Sequence, residues 1–215
     1  MIARKTFHSL IIILFIASVI ACQSGKAGSG QPSSVSSADT VAVDSPAVRK
    51  LIEAALGQTE VTQYYDPAYV KIPYPGGDVP PERGVCTDVV IRAFRKTGVD
   101  LQKEVHEDMA ANFSAYPNKW GLSRPDTNID HRRVPNLMTF FKRKGKAVSI
   151  SDDAKNYRPG DIVAWDLGGG VLHIGLATHI RAEGDRLKFV HNIGWGARLE
   201  DILFSWKIIG HYRYY

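Results

Sequence analysis

Pro159-Gly160-Asp161-Ile162-Val163-Ala164-Trp165, then Leu172-His173-Ile174-Gly175-Leu176, then Phe189-Val190-His191-Asn192 are the stretches that decide the fold of this 215-residue chain. Each is short and apolar, rich in β-branched or aromatic residues and close to a glycine-containing turn, so each reads as a strand. Gly168-Gly169-Gly170 and Glu183-Gly184-Asp185 supply the turns between them. Connections this short make consecutive strands antiparallel neighbours. The three strands form a meander with His173 and His191 on adjacent members.

Upstream, Val89, Val90, Ala93 and Phe94 have helical spacing, which predicts a helix from Cys86 to Thr97 that stops at Gly98. Cys86 therefore opens a helix, where unpaired backbone N–H groups and a partial positive charge favour a thiolate. Asp88 in the same turn opposes that effect. A helix-start thiol paired with imidazole is expected to be alkylated faster than a free thiol near neutral pH.

An earlier helix is marked by Ser45-Pro46 followed by Val48, Leu51, Ile52, Ala55 and Leu56, with Gly57 as a stop. From Gln58 to Arg83 the chain is rich in Pro, Gly and Tyr and reads as a long loop with one short strand, material for a substrate groove. Between Cys86 and His173 lie an amphipathic segment, Leu101 to Phe113, then Trp120, the cluster Asp130-His131-Arg132-Arg133 and a further helix from Val134 to Lys144. Helices first and an antiparallel sheet from about Ala147 through Tyr212 predict an α+β domain with Cys86 docked on the sheet.

Asp130-His131-Arg132-Arg133 has two readings. As structure, Asp130 caps the following helix while His131 and the arginines are solvated or paired. As function, Arg132 or Arg133 forks onto a substrate carboxylate. Tyr65, Tyr69 and Trp120 would add aromatic faces to the same groove.

The N-terminus carries a different signal. Arg4 and Lys5 precede an apolar run from Leu10 to Ala21, too short to span a bilayer but laid out as a secretory leader. Val19-Ile20-Ala21-Cys22 resembles a bacterial lipobox, which implies cleavage before Cys22 and acylation of that residue. Gln23 after the cysteine fits outer-membrane sorting in a Gram-negative cell. Residues 22–45, mostly Ser, Gly and Ala, read as a flexible tether, and 46–215 as one folded domain. With Cys22 accounted for, Cys86 is the remaining thiol in an oxidising compartment and reads as a nucleophile.

The formal charge is +5, of which +3 remains once Arg4 and Lys5 leave with the leader. So mild an excess, without a basic stripe or recognition motif, argues against nucleic acid as a partner. No motif implies a cofactor.

The helix-starting cysteine, the Gly-Asp-hydrophobic strand, the His-hydrophobic-Gly strand and a third strand carrying a polar residue resemble the NlpC-type papain-like cell-wall cysteine peptidases. Over nearly the whole domain the chain is also similar to the YijF-like family, through Tyr65-Asp66-Pro67, Gly84-Val85-Cys86, Asn128-Ile129-Asp130-His131-Arg132-Arg133 and His191-Asn192-Ile193-Gly194. The resemblance implies Cys86 as nucleophile, His173 as general base and His191 as the residue that orients it, with His131 as an alternative third member. Two departures stand out: Val85 where the NlpC-type proteins commonly have Asp, and a longer stretch between Cys86 and His173.

The implied activity is a lipid-anchored, monomeric cysteine amidase or endopeptidase acting on peptidoglycan stem peptides. Thiolate attack on an amide needs a base within reach and a group holding that base's tautomer. Two alternatives are a metalloamidase, in which His131, His173 and His191 with Asp130 or Asp161 bind zinc and activate water, and a catalytically silent cell-wall-binding module.

Overall fold

The structure, a computed structural model, describes residues 39–215. The expected leader, Cys22 and the tether up to residue 38 lie outside the described residues. Thr40 already bridges to Ile180, and the Val41 N–H donates to the His179 carbonyl. The chain is thus docked on the sheet several residues before the domain boundary expected at residue 46.

Helix α1 (Pro46–Leu56) begins as its sequence dictates: the Ser45 hydroxyl accepts the Val48 N–H, Pro46 occupies the first turn, and Leu51, Ile52 and Ala55 are buried. Gly57 caps it, but the chain continues into a single turn, α2 (Gln58–Val61). The long segment that follows is fastened at both ends by a parallel pair, β1 (Tyr64–Tyr65) with β2 (Arg83–Gly84). Helix α3 (Cys86–Lys96) has the expected bounds to within a residue and buries Val89, Val90, Ala93 and Phe94. Large side chains buried this completely contribute roughly 1.5–3 kcal/mol each.

Helix α4 (Leu101–Ala111) is capped by Asp100, whose carboxylate accepts the Gln102 N–H. It stops short of Phe113, because Asn112 turns its side-chain amide back onto the Asp108 carbonyl. Residues Asp130–Arg132 form a 3₁₀ turn before α5 (Val134–Arg143). Asp130 is therefore not the cap of α5: Arg133 holds that position without a side-chain cap bond, and Asp130 accepts the Asp126 N–H instead.

Strands β3 (Ile162–Asp166), β4 (Leu172–Arg181), β5 (Leu187–Asn192), β6 (Ala197–Glu200) and β7 (Lys207–Tyr212) form one antiparallel sheet in the order β6-β5-β4-β3-β7. The expected meander β3-β4-β5 is its centre. Alternation along the strands builds a core on each face. Ile162, Ala164, Ile174, Leu176 and Val190 pack against the helices, while Val163, Trp165, Ala177 and Phe189 face Leu203 and Tyr157 on the other side.

Asp161, a zinc-ligand candidate in the metalloamidase reading, is fully buried at the head of β3. Its carboxylate accepts from His211 Nε2 and from the Arg213 guanidinium, each at 2.7 Å, and so ties β3 to β7.

Candidate active site

Cys86 sits at the first position of α3 and lines a cleft of about 350 Å³ together with Tyr65, Lys119, Trp120, Arg133 and Leu172. The turn that presents it is built around Asp88, whose Oδ2 accepts the Val85 N–H at 2.7 Å. A side chain on Gly84 would meet that carboxylate at 2.9 Å, so only glycine leaves room for the turn. Asn192, at the end of β5, donates to the Gly84 carbonyl at 3.0 Å and fastens the same turn to the sheet.

The β4–β5 pairing runs no further toward this turn than Leu176 against Val190. Beyond it, the backbone N–H of Ile174 meets the Cys86 sulfur. Burial pushes the Cys86 thiol up to about 12. The N–H groups of Ile174, Thr87 and Cys86 itself work in the opposite direction, and Asp88 adds to the rise. The expected thiolate-favouring effect of the helix start is therefore present but outweighed by burial, and Cys86 rests as a neutral thiol.

His173 is held on β4 by the aromatic face of the sheet. Trp165 pairs with it across β3 and stacks on its ring at 5.8 Å between centroids, and Trp206 meets it edge-on at 6.0 Å. His173 Nε2 lies 2.9 Å from His191 Nδ1, and His191 Nε2 lies 2.8 Å from Glu200 Oε2 on β6. The two rings can approach because residue 175 is glycine: a Cβ there would be 3.2 Å from the Cβ of His191 and 3.3 Å from the Trp165 ring. Burial, and then the neighbouring His191, holds His173 down at about 3, so its imidazole is neutral. Burial also lowers His191, against an opposing pull from Glu200.

His173 Nδ1 makes no hydrogen bond among the described residues, and Cys86 and His173 are not hydrogen-bonded to each other. Ile174 links them along the chain: its amide hydrogen-bonds the sulfur, and the residue before it carries the imidazole. Contacts of this kind commonly tighten only around substrate.

The other expected site residues divide. Tyr65 lines the cleft, and its phenol is shifted upward by burial and then by Cys86 and Asp88. Trp120 lines it too, with the Arg133 guanidinium stacked 4.0 Å from its ring centroid. Arg133 also pairs with Asp130 at 2.9 Å. Arg132 does not offer a free fork: its Nε and Nη2 grip the two oxygens of Asp88 at 2.9 Å each, in a pair whose side chains are only 2% and 3% exposed. Its remaining donors reach the Ala68 and Asp66 carbonyls. Arg132 holds the turn that presents Cys86 to the Tyr65–Ala68 loop.

Tyr69 stands outside the cleft, its hydroxyl donating to Asp126 and accepting from Asn128, and so braces one loop against another. His131 is buried away from the thiol with Arg132, Arg95, Asp100 and Asp78 as its charged neighbours, and burial pushes it down to about 4. It is not a partner of His173. The zinc reading loses its ligand set by the same geometry: His173 and His191 turn their facing nitrogens on each other, and His131 and Asp161 lie elsewhere. Glu200 and Lys119 were missed from sequence. Glu200 meets His191 only through the β5–β6 register, and nothing in the local pattern around Lys119 marks it.

Comparison with known proteins gives a family and a distant structural likeness. The family described as "Domain of unknown function (DUF1287)" matches residues 52–214. "Uncharacterized protein YijF" of Escherichia coli K12 is 56% identical over 165 residues, covering 77% of this chain and 80% of that protein. NlpC1 and NlpC2 from Trichomonas vaginalis superpose with TM-scores of 0.42 and 0.41 at 14% and 16% identity. They cover 82% and 81% of this chain and 46% and 48% of theirs. A Staphylococcus aureus protein described as similar to lipoprotein, NLP/P60 family, gives 0.38 at 17% identity over 83% of this chain and 44% of that one. The chain spans just under half the length of each of these three. The order of elements, with a helix-start cysteine against an antiparallel sheet that carries the two histidines, is the α+β arrangement expected from the sequence.

Proposed function

We propose that this chain, which belongs to the DUF1287 family over residues 52–214, is a cysteine amidase or endopeptidase acting on the peptide part of peptidoglycan while anchored to a membrane through a lipidated Cys22. The observation that carries the reading is Cys86 at the start of α3, lining an open cleft, with a 2.9 Å His173–His191 hydrogen bond on the two strands against which that helix packs.

The chemistry follows from the resting protonation states. Cys86 is a thiol and His173 a neutral base, so attack transfers the thiol proton to His173 Nδ1 as the sulfur bonds to the scissile carbonyl carbon. The carbonyl oxygen becomes an oxyanion at the start of α3, where backbone N–H groups lack intrahelical partners. Collapse expels the amine, which takes its proton from His173 and leaves a thioester on Cys86. Water, deprotonated by the same imidazole, then releases the acid and restores the thiol.

The walls suggest the substrate class. Trp120 and Tyr65 offer apolar faces, and Arg133 and Lys119 bring positive charge, with Lys119 exposed and without an ion pair among the described residues. A peptide rich in carboxylates fits such a cleft, and stem peptides are of that kind. The test is to incubate the mature domain with isolated sacculi and, separately, with casein, and to follow product masses. Glycan trimmed of peptide supports the reading. Cleaved casein beside intact sacculi makes the protein a general protease, and no product from either leaves a binding module.

A further inference from the structure

We infer that Glu200 is a positioning residue that sets the tautomer of both active-site histidines, so that the relay runs Glu200–His191–His173 toward Cys86. This inference rests on the cysteine-hydrolase reading for its kinetic consequence, but its structural core does not.

An ionised carboxylate only accepts hydrogen bonds, so the 2.8 Å contact places the His191 proton on Nε2. A neutral imidazole with Nε2 protonated has its lone pair on Nδ1. The 2.9 Å contact then requires His173 Nε2 to carry the proton that bridges the two rings. His173 Nδ1 is left as the unprotonated nitrogen, the form a general base must have. Remove the carboxylate, and His191 can protonate either nitrogen. With Nδ1 protonated it would donate to His173 Nε2 and force the His173 proton onto Nδ1, the wrong nitrogen for accepting one.

Among the described residues, nothing else near these rings makes that choice. Trp165 and Trp206 hold the His173 ring by its faces and edge without a hydrogen bond to it. Because Glu200 is half exposed on β6, at 49% of its side-chain surface, its replacement leaves the core untouched.

The decisive experiment reads tautomers directly, by long-range ¹⁵N–¹H correlation on histidine-labelled domain for wild type, Glu200→Ala and Glu200→Gln. Wild type should show both His173 and His191 protonated at Nε2. Glu200→Gln should keep that pattern, because the amide oxygen still accepts, whereas Glu200→Ala should give a mixture. With muropeptide as substrate, Glu200→Ala should lower kcat about tenfold with KM little changed, less than loss of the base itself, and Glu200→Gln should recover most of it. Unchanged tautomers in Glu200→Ala, or a loss confined to KM, overturns the inference. Should wild type cut nothing, the hydrolase reading fails while the tautomer measurement still decides the role of Glu200.

Discussion

Replacing Arg132 by alanine separates a structural clamp from a substrate-binding fork. One of the two sequence readings made Arg132 or Arg133 a carboxylate binder, for which Arg132→Ala raises KM roughly tenfold and leaves kcat nearly alone. The structure puts its guanidinium on Asp88 through two bonds of 2.9 Å in a pair almost sealed from water. Deleting one partner of such a pair leaves a buried charge uncompensated and costs about 3–5 kcal/mol. For a domain of this size that corresponds to a melting temperature lower by roughly 6–20 °C, at about 2–4 °C per kcal/mol. The same carboxylate holds the Val85 amide and already disfavours the Cys86 thiolate. Its uncompensated charge should therefore lower kcat as well. Urea unfolding and steady-state kinetics on wild type, Arg132→Ala, Asp88→Ala and the double variant give the coupling. The double variant should be far more stable than the sum of the single losses. An Arg132→Ala protein within about 1 kcal/mol of wild type, with only KM raised, refutes the clamp.

The remaining predictions concern reactivity, acid stability and anchoring. With Cys22→Ser in place, Cys86 should react with iodoacetamide more slowly than a free thiol near pH 7, and its rate should keep rising toward pH 12, since burial holds the thiol there. A plateau near neutrality would show a stabilised thiolate. His131 and His173 are both held below the ordinary 6.5, to about 4 and about 3, so the unfolded chain binds more protons than the folded one below pH 6.5. Their stability contribution is complete above pH 6.5 and is lost as pH falls toward 4 and 3. His131→Asn should flatten part of that acid limb in a pH series of urea midpoints, and an unchanged series would place His131 in water. Cells grown with labelled palmitate should label wild type and not Cys22→Ser, and equal labelling would remove the anchor.

The sheet and its two histidines were legible because their signals are local. Alternation and glycine turns around residues 159–192 place β3, β4 and β5 next to one another, and adjacency is enough to bring His173 to His191. The helix that begins at Cys86 was legible for the same reason, from the spacing of Val89, Val90, Ala93 and Phe94. What escaped depends on distances no window spans. Asp88 and Arg132 lie 44 residues apart, and whether that arginine meets a carboxylate of the protein or of a substrate is set by burial alone. Glu200 reaches His191 through a hairpin register that Ile193–Gly196 does not announce. Tyr69 belongs to a Tyr-rich loop that looks like groove lining, yet its hydroxyl is spent on Asp126 and Asn128. Cys86 shows the limit of the helix-start argument, because its sign was right and desolvation was larger.

The most direct test of Cys86 as the proposed nucleophile is the mass spectrum of purified muropeptides incubated with the mature domain, wild type beside Cys86→Ala. The expected result is peptide released by wild type and a rate at least about 10³-fold lower for Cys86→Ala, with both proteins folded and neither affected by EDTA. Equal release by Cys86→Ala, or release abolished by EDTA, contradicts a cysteine hydrolase built on Cys86, His173 and His191.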